Sequence, residues 1–486
     1  MATDPSMPQL ALLVELVELE NPSLIAARKY FINKVCFGHI RVSGLIGTFL
    51  NMLAFTLVKD TGLNETAAIG LDLGDPVDGL TLMSLESWRT ATIRIVCDAG
   101  ALDSAVGFAK EILAWMQEFQ EVEKSMGNTQ AKYNELERKI VDRCINRILV
   151  RIGKTTSAKT GPSPFMKIKN IIKKIAETVM PASVPFQPDF NNFIVEDLPT
   201  TAKYTSSSYV QINSVTFGLL RVYLSLMDAL PDVYEEKNYE NVIHAIFVAG
   251  RISGNRICVY ILATACMLVG EDPDEFMDYF RNLGEYHKAA ATFHRVAVYN
   301  SGGKSLLSRF DIKIVPLDLE PVCYSIPDSN TGINHFHELK TKLLEPDDQL
   351  CLSHGTAATQ LESEYNRRYQ NLSSGEHCEM RLMRFYEESD SAKMLPLDYF
   401  GLSEPSCFSC DFVLKNLGMG HPEHGPSQPK YFVSGTSGKV DATWRFPGIR
   451  YTDPAYTERI WSIEASLLEK LWWPAVDKFL EMLCAE

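Results

Sequence analysis

Two short fragments, GEHCEMRLMRF at 375–385 and SEPSCFSCDFVLKNLG at 403–418, constrain most what this chain can fold into. The first holds an H-x-E, His377 and Glu379. The second holds a C-x-x-C, Cys407 and Cys410, which begins 28 positions after the glutamate. Each fragment opens an apolar helix-like stretch, and together they ask two helix starts to serve one point. Residues i and i+3 at a helix start share a face, so both sulfurs can grip a single ion. Backbone N–H groups and the positive end of the helix dipole favour the thiolate that zinc requires. His377 supplies a nitrogen from the second helix start. Three protein ligands leave one tetrahedral position for water, as in a catalytic zinc site, so one Zn2+ per chain is expected. Glu379 would not ligate; it would sit beside that water and move its proton.

The 27 residues between Glu379 and Cys407 suffice for the rest of a helix, a turn and a strand ending at Ser403. That strand–loop–helix order predicts the C-x-x-C at the C-terminal edge of a sheet, where open α/β folds bind ligands. Strand-like stretches at 310–324, 396–403 and 430–435 alternate with helix-like ones at 377–388 and 407–417. The pattern implies a layered α/β domain over about 306–450. An amphipathic helix or helix pair is expected over 451–486, with Trp461, Leu467, Leu468, Leu471, Trp472 and Trp473 apolar.

Residues 1–305 read as mainly helical. Within 103–125, Val106, Ala109, Ile112, Leu113 and Met116 recur at three- and four-residue spacing. The apolar run 242–269 is punctuated by Gly250 and Gly254, which predicts two packed helices or a close approach. The uncharged stretch 42–58 is 17 residues long and contains Ser43, Thr48, Asn51 and Thr56. It is too short and too polar for a bilayer span and reads as a buried core helix, so no membrane partner is expected. The N-terminus has no basic n-region and does not read as a signal peptide. Eleven scattered cysteines, an odd number, are unlike a secreted disulfide framework. These features give the expectation of an intracellular protein, cytoplasmic or nuclear.

The sequence around the two fragments, HCEMRLMRF, LDYFGLSEPSCFSCDFVL and KYFVSGTSGKVDATWRFP, resembles the zinc deaminase superfamily, whose signature is H-x-E followed by P-C-x-x-C. It is most similar to the fungal-expanded, bacterial-toxin-related branch, the OTT-type deaminases. The resemblance spans about residues 305–450. It implies a three-layer helix–sheet–helix fold of the cytidine deaminase kind, following the large helical region. It also implies zinc on His377, Cys407 and Cys410, with Glu379 as the proton carrier. The activity implied is hydrolytic removal of a nucleobase amine, cytosine before adenine, in a nucleotide or single-stranded nucleic acid. Ser406 stands where the family usually has proline, with Pro405 one place earlier. Ser406 and Trp444 are the candidate substrate contacts.

One segment departs from the acidic character of the chain, whose formal charge is −14. Residues 138–174 hold eleven Lys and Arg against a single acid, Asp142. Arg147, Arg151, Lys154 and Lys159 in this basic linker are the candidate contacts to a nucleic acid, since like-signed clusters attract polyanions. The alternative is a solvated basic face that pairs with the acidic remainder. At the level of the whole chain, the rival to an enzyme is a catalytically silent, zinc-stabilised interaction protein whose helical region engages a protein partner.

Overall fold

The computed structural model describes residues 28–29, 34–37, 40–59, 66–76, 88–97, 102–124, 128–152, 164–178, 206–229, 239–298, 310–317, 337, 356–369, 376–388, 394–417, 431–437, 440–441, 444, 458 and 461–471. Over these the chain is mostly helical with a small mixed sheet. It divides into two compact units, one of Met1–Leu57, Thr66–Glu111 and Tyr299–Glu486, the other of Val58–Glu65 and Ile112–Val298. The boundary expected near residue 305 is therefore corrected. The unit with the H-x-E and C-x-x-C also draws on the first hundred residues.

Strands β1 (Arg28–Lys29), β2 (Lys34–Phe37) and β3 (Ile40–Ser43) lead into helix α1 (Gly44–Leu57). Then come β4 (Ala67–Pro76) and β5 (Trp88–Cys97), a long antiparallel pair that the expectation of a mainly helical N-terminal region overlooked. The run TATIRIV within β5 carried the signal, being short, β-branched and alternating. After the helical unit follow β6 (Asp311–Pro316), α9 (Thr356–Tyr369), α10 (Cys378–Glu388), β7 (Met394–Pro396), β8 (Gly401–Leu402), α11 (Phe408–Leu417) and β9 (Gly435–Thr436). The sheet order is β6-β5-β4-β7, with β6 parallel to β5 and β8 also paired to β4.

Strands β7 and β8 are two pieces of one run lying antiparallel along β4. Between them the register along β4 shifts by two residues, with Leu397, Tyr399 and Phe400 buried. The Phe400 N–H donates to the Phe432 carbonyl, and the Phe432 N–H to that of Asp398. Residues 431–437 thus continue beside 398–406 in parallel, and β1 pairs with their end at β9.

Directly opposed residues of an antiparallel pair share a face. Ile69 opposes Gly401 and Ile95, while Gly70 opposes Arg94, so the sheet has two different faces. On one face Ile69, Leu71, Leu73, Ile93 and Ile95 are all buried. There α1 comes so close that a Cβ at Gly401 would collide with the Leu50 backbone. Asn51 of α1 is satisfied on both ends, donating to the Tyr399 hydroxyl and accepting from the Leu402 N–H. The other face receives α10, where a Cβ at Gly70 would strike the Tyr386 ring. It also carries a buried ion pair, Arg94 to Asp72, with the Arg94 guanidinium 4.8 Å from the Phe385 ring centroid.

The second unit contains the part of α2 (Leu102–Lys124) from Ile112 on, with α3 (Thr129–Ile152), α4 (Pro164–Thr178), α5 (Ser206–Ala229), α6 (Tyr239–Gly254), α7 (Arg256–Leu268) and α8 (Pro273–Val298). The expected break in 242–269 is real. Asn255 caps α7 by accepting from the Ile257 and Cys258 N–H groups, and α6 and α7 meet at 88°. Gly250 marks the close approach, since a Cβ at Gly284 of α8 would fall 2.8 Å from the Gly250 Cα. Residues 461–471 are helical with Ile463, Leu467 and Leu471 buried; Trp472 and Trp473 lie outside the described residues. Among the described residues no single helix is long and apolar enough to cross a membrane, although α6 and α7 joined pass on length and composition. Helix α1, expected as a core helix, is buried along most of its length.

Gly401→Ala should force α1 away from the sheet and cost about 1–3 kcal/mol. Gly107→Ala, on an open helical position with nothing within 4 Å, should instead stabilise by about 0.5–1 kcal/mol. Urea midpoints of the two variants against wild type check both signs.

Candidate metal centre

The two fragments meet where the sequence asked them to. His377 stands at the N-cap position of α10, its carbonyl accepting from the Met380 and Arg381 N–H groups. Cys407 stands at the same position on α11, its carbonyl accepting from the Asp411 N–H. The Cys407 sulfur also caps its helix by accepting from the Cys410 N–H at 3.4 Å. Both helix starts present partial positive charge to the same point.

His377 Nδ1 lies 3.7 Å from Cys407 Sγ and 3.4 Å from Cys410 Sγ. Ordinary zinc bond lengths at tetrahedral angles put nitrogen and sulfur ligands about 3.6 Å apart, so the donors already stand at ligand spacing. All three donor atoms lie within 4.8 Å of one another. The other imidazole nitrogen, Nε2, is 3.2 Å from Asp441 Oδ2. The indole N–H of the fully buried Trp444 donates to Cys410 Sγ at 3.1 Å.

Charge is distributed unevenly over the donors. Burial pushes the Cys407 thiol up, but the Cys410 hydrogen bond and the His377 imidazole outweigh it and bring it down to about 7. Burial raises the Cys410 thiol, and the neighbouring Cys407 sulfur raises it further. For His377, burial opposes the charged form, yet the Cys407 sulfur and Asp441 prevail and hold the imidazole well above its usual range. Without metal these shifts favour an imidazolium beside a Cys407 sulfur that ionises near neutral pH, with the Cys410 thiol as third member.

Glu379 is buried in the first turn of α10 and accepts from the Ser406 hydroxyl at 3.1 Å. The Ser406 carbonyl is engaged as well, by the Ser437 N–H and the Thr436 and Ser437 hydroxyls. Ser406, expected to touch substrate, is 2% exposed and its hydroxyl is directed to Glu379. Cys378 is not one of the donors. It packs against the strand, where Thr66 Oγ1 donates to its sulfur at 3.4 Å.

Five further candidate residues are placed elsewhere or lie outside the described residues. Trp444, a candidate substrate contact, is fully buried with its indole N–H on Cys410 Sγ. Arg147 is fully buried inside the helical unit and cannot reach a polyanion. Arg151 bonds the Asn282 carbonyl and lies over the Tyr286 ring. Their neighbours Arg138, Lys167, Lys169 and Lys174 pair with Glu240, Glu275, Asp228 and Glu271. That is the alternative in which the basic face pairs with acids. Lys154 and Lys159 lie outside the described residues. Asp441 was missed by sequence reasoning; its sole signal is a carboxylate three positions before a tryptophan.

A histidine and two cysteines at ligand spacing, with a carboxylate beside them on the same helix start, define a group that could hold one metal ion. Comparison with known families agrees with the sequence resemblance: residues 376–448 match the model of the OTT_1508-like deaminases. This segment of the chain is deaminase-like. No curated protein and no solved structure matches the chain.

Metal uptake should displace the protons that the free site holds. Since Cys410 and His377 are both raised and Cys407 lies at about 7, zinc uptake at neutral pH should release between about two and three protons per ion. Affinity should rise with pH through the Cys407 value of about 7 and fall steeply below it. Calorimetry in buffers of different ionisation enthalpy measures the release. Uptake without proton release would contradict the imidazolium–thiolate arrangement.

Proposed function

We propose that the chain is a zinc-dependent hydrolytic deaminase that removes the exocyclic amine of a nucleobase in a nucleotide or single-stranded nucleic acid. The observation that carries this reading is the meeting of His377, Cys407 and Cys410 at ligand spacing with Glu379 beside them. The match over residues 376–448 supports deamination as the chemistry, and the donor set supports zinc. Cytosine is placed before adenine on resemblance alone. The packing of α1 and α10 against opposite faces of the sheet supports a three-layer α/β/α domain of the cytidine deaminase kind.

His377, Cys407 and Cys410 would hold the ion, which supplies an acidified water as nucleophile near neutral pH. Glu379 carries the protons. It takes one from the attacking water, delivers one to a ring nitrogen of the base, and then serves the departing amine. Water and the amino base are thus converted to a carbonyl base and ammonia. The Ser406 hydroxyl holds the Glu379 carboxylate in place. Burial of Glu379 and Ser406 keeps bulk water from competing for that carboxylate.

Glu379→Gln should bind zinc as wild type does and lose ammonia release by at least about 100-fold, the scale of one acid–base group. The assay uses nucleosides, nucleotides and both kinds of single strand, with zinc content measured in parallel. A wild type that binds zinc yet releases no ammonia from any of them would favour the interaction-protein reading. Ser406→Ala should lower kcat with little change in zinc content, because it frees the carboxylate without touching a ligand.

A further inference from the structure

We infer that Asp441 and Trp444 form an outer clamp of the metal centre, setting which imidazole nitrogen is offered to the ion and moderating the charge on one thiolate. This rests on the zinc reading above and adds to it two positioning residues. The two residues are tied to each other, with the Trp444 N–H donating to the Asp441 carbonyl at 3.1 Å. Their side chains reach ligands that come from different helices. Asp441 Oδ2 meets His377 Nε2 at 3.2 Å, ahead of α10. Trp444 Nε1 meets Cys410 Sγ at 3.1 Å, in the first turn of α11.

The two contacts do different chemical work. A neutral imidazole carries one N–H and one lone pair, and a carboxylate at Nε2 accepts the N–H there. The lone pair then falls on Nδ1, the nitrogen that faces both sulfurs. Carboxylate–histidine pairs behind a metal ligand commonly fix its tautomer and ring angle in this way. The indole N–H can only donate, so aimed at a sulfur it favours the thiolate and withdraws part of its charge. With two sulfur ligands, such a donor limits how far the ion's Lewis acidity is quenched. The backbone hydrogen bond between Trp444 and Asp441 links the two contacts.

The test is zinc affinity of the full chain by competition with a chelating indicator, on four variants. Asp441→Ala should weaken zinc by about 10–100-fold, the usual range for an outer partner of a metal ligand. Asp441→Asn keeps an oxygen that accepts from Nε2 and should recover most of that loss. Trp444→Phe should weaken zinc about tenfold. Replacement of Trp444 by 3-benzothienylalanine keeps the bicyclic shape without the N–H and should weaken zinc equally. In the cobalt-substituted protein both Trp444 variants should move the sulfur-to-cobalt charge-transfer band to lower energy, because a thiolate without its donor gives up electrons more readily. Thermal midpoints of the metal-free proteins separate these effects from misfolding. The clamp is overturned if wild type binds zinc and the variants bind it equally with an unmoved band. It is also overturned if the benzothienyl protein matches wild type while Trp444→Phe does not, which would leave only packing. A wild type that takes up no zinc would instead overturn the metal reading itself, and the clamp with it.

Discussion

The geometry of the centre depends on one strand end. Thr66 and Ala67, where β4 begins, are the common reference for both halves of the site. Thr66 donates to the sulfur of Cys378, the residue between His377 and Glu379, and so fixes the start of α10. Ala67 exchanges bonds with Ser403: its N–H donates to the Ser403 hydroxyl, and the Ser403 N–H donates to its carbonyl. Three residues after Ser403 the chain reaches Ser406 and the cysteine loop. Histidine and cysteines thus belong to segments that, among the described residues, share no strand pairing with each other. They are brought together by indexing both to the same two residues of a central strand.

That placement makes a crowded, charged and partly buried cluster, and the neighbouring segments answer its needs. Two sulfurs, Glu379 and Asp441 gather around one imidazole. The helix dipoles and the imidazolium offset part of that negative charge in the metal-free state, and a divalent cation would offset more. The Ser406 carbonyl, held by Thr436 and Ser437, pins the cysteine loop to the parallel run 431–437. Seven positions after that run ends, Trp444 reaches the same loop from its buried side. Serine in the place usually taken by proline therefore keeps the loop anchored and adds a hydroxyl that reaches the carboxylate.

The helical unit shows how a conspicuous composition can mislead about surface. The basic segment reads as a patch for polyanions when its cations are counted along the chain. In the fold, one of its arginines is buried, and Arg138, Lys167, Lys169 and Lys174 sit against carboxylates of α5, α6, α7's following turn and α8. Exposed pairs of this kind contribute little each to stability, but they leave less field available to attract phosphate.

The sequence by itself picked out the residues that meet at the candidate centre, because an H-x-E and a C-x-x-C depend on local helix-start geometry that short-range spacing encodes. It also determined the helix and strand order from 376 to 417, and the break at Asn255, since caps, glycines and alternation act over a few residues. Only the tertiary structure decided that β4, β5 and α1 complete the sheet. Pairing over more than three hundred positions leaves no local trace. For the same reason the roles of Asp441, Ser406 and Trp444 were not legible. A carboxylate, a hydroxyl or an indole acquires its function from what stands opposite it, and here each partner comes from a different segment of the chain.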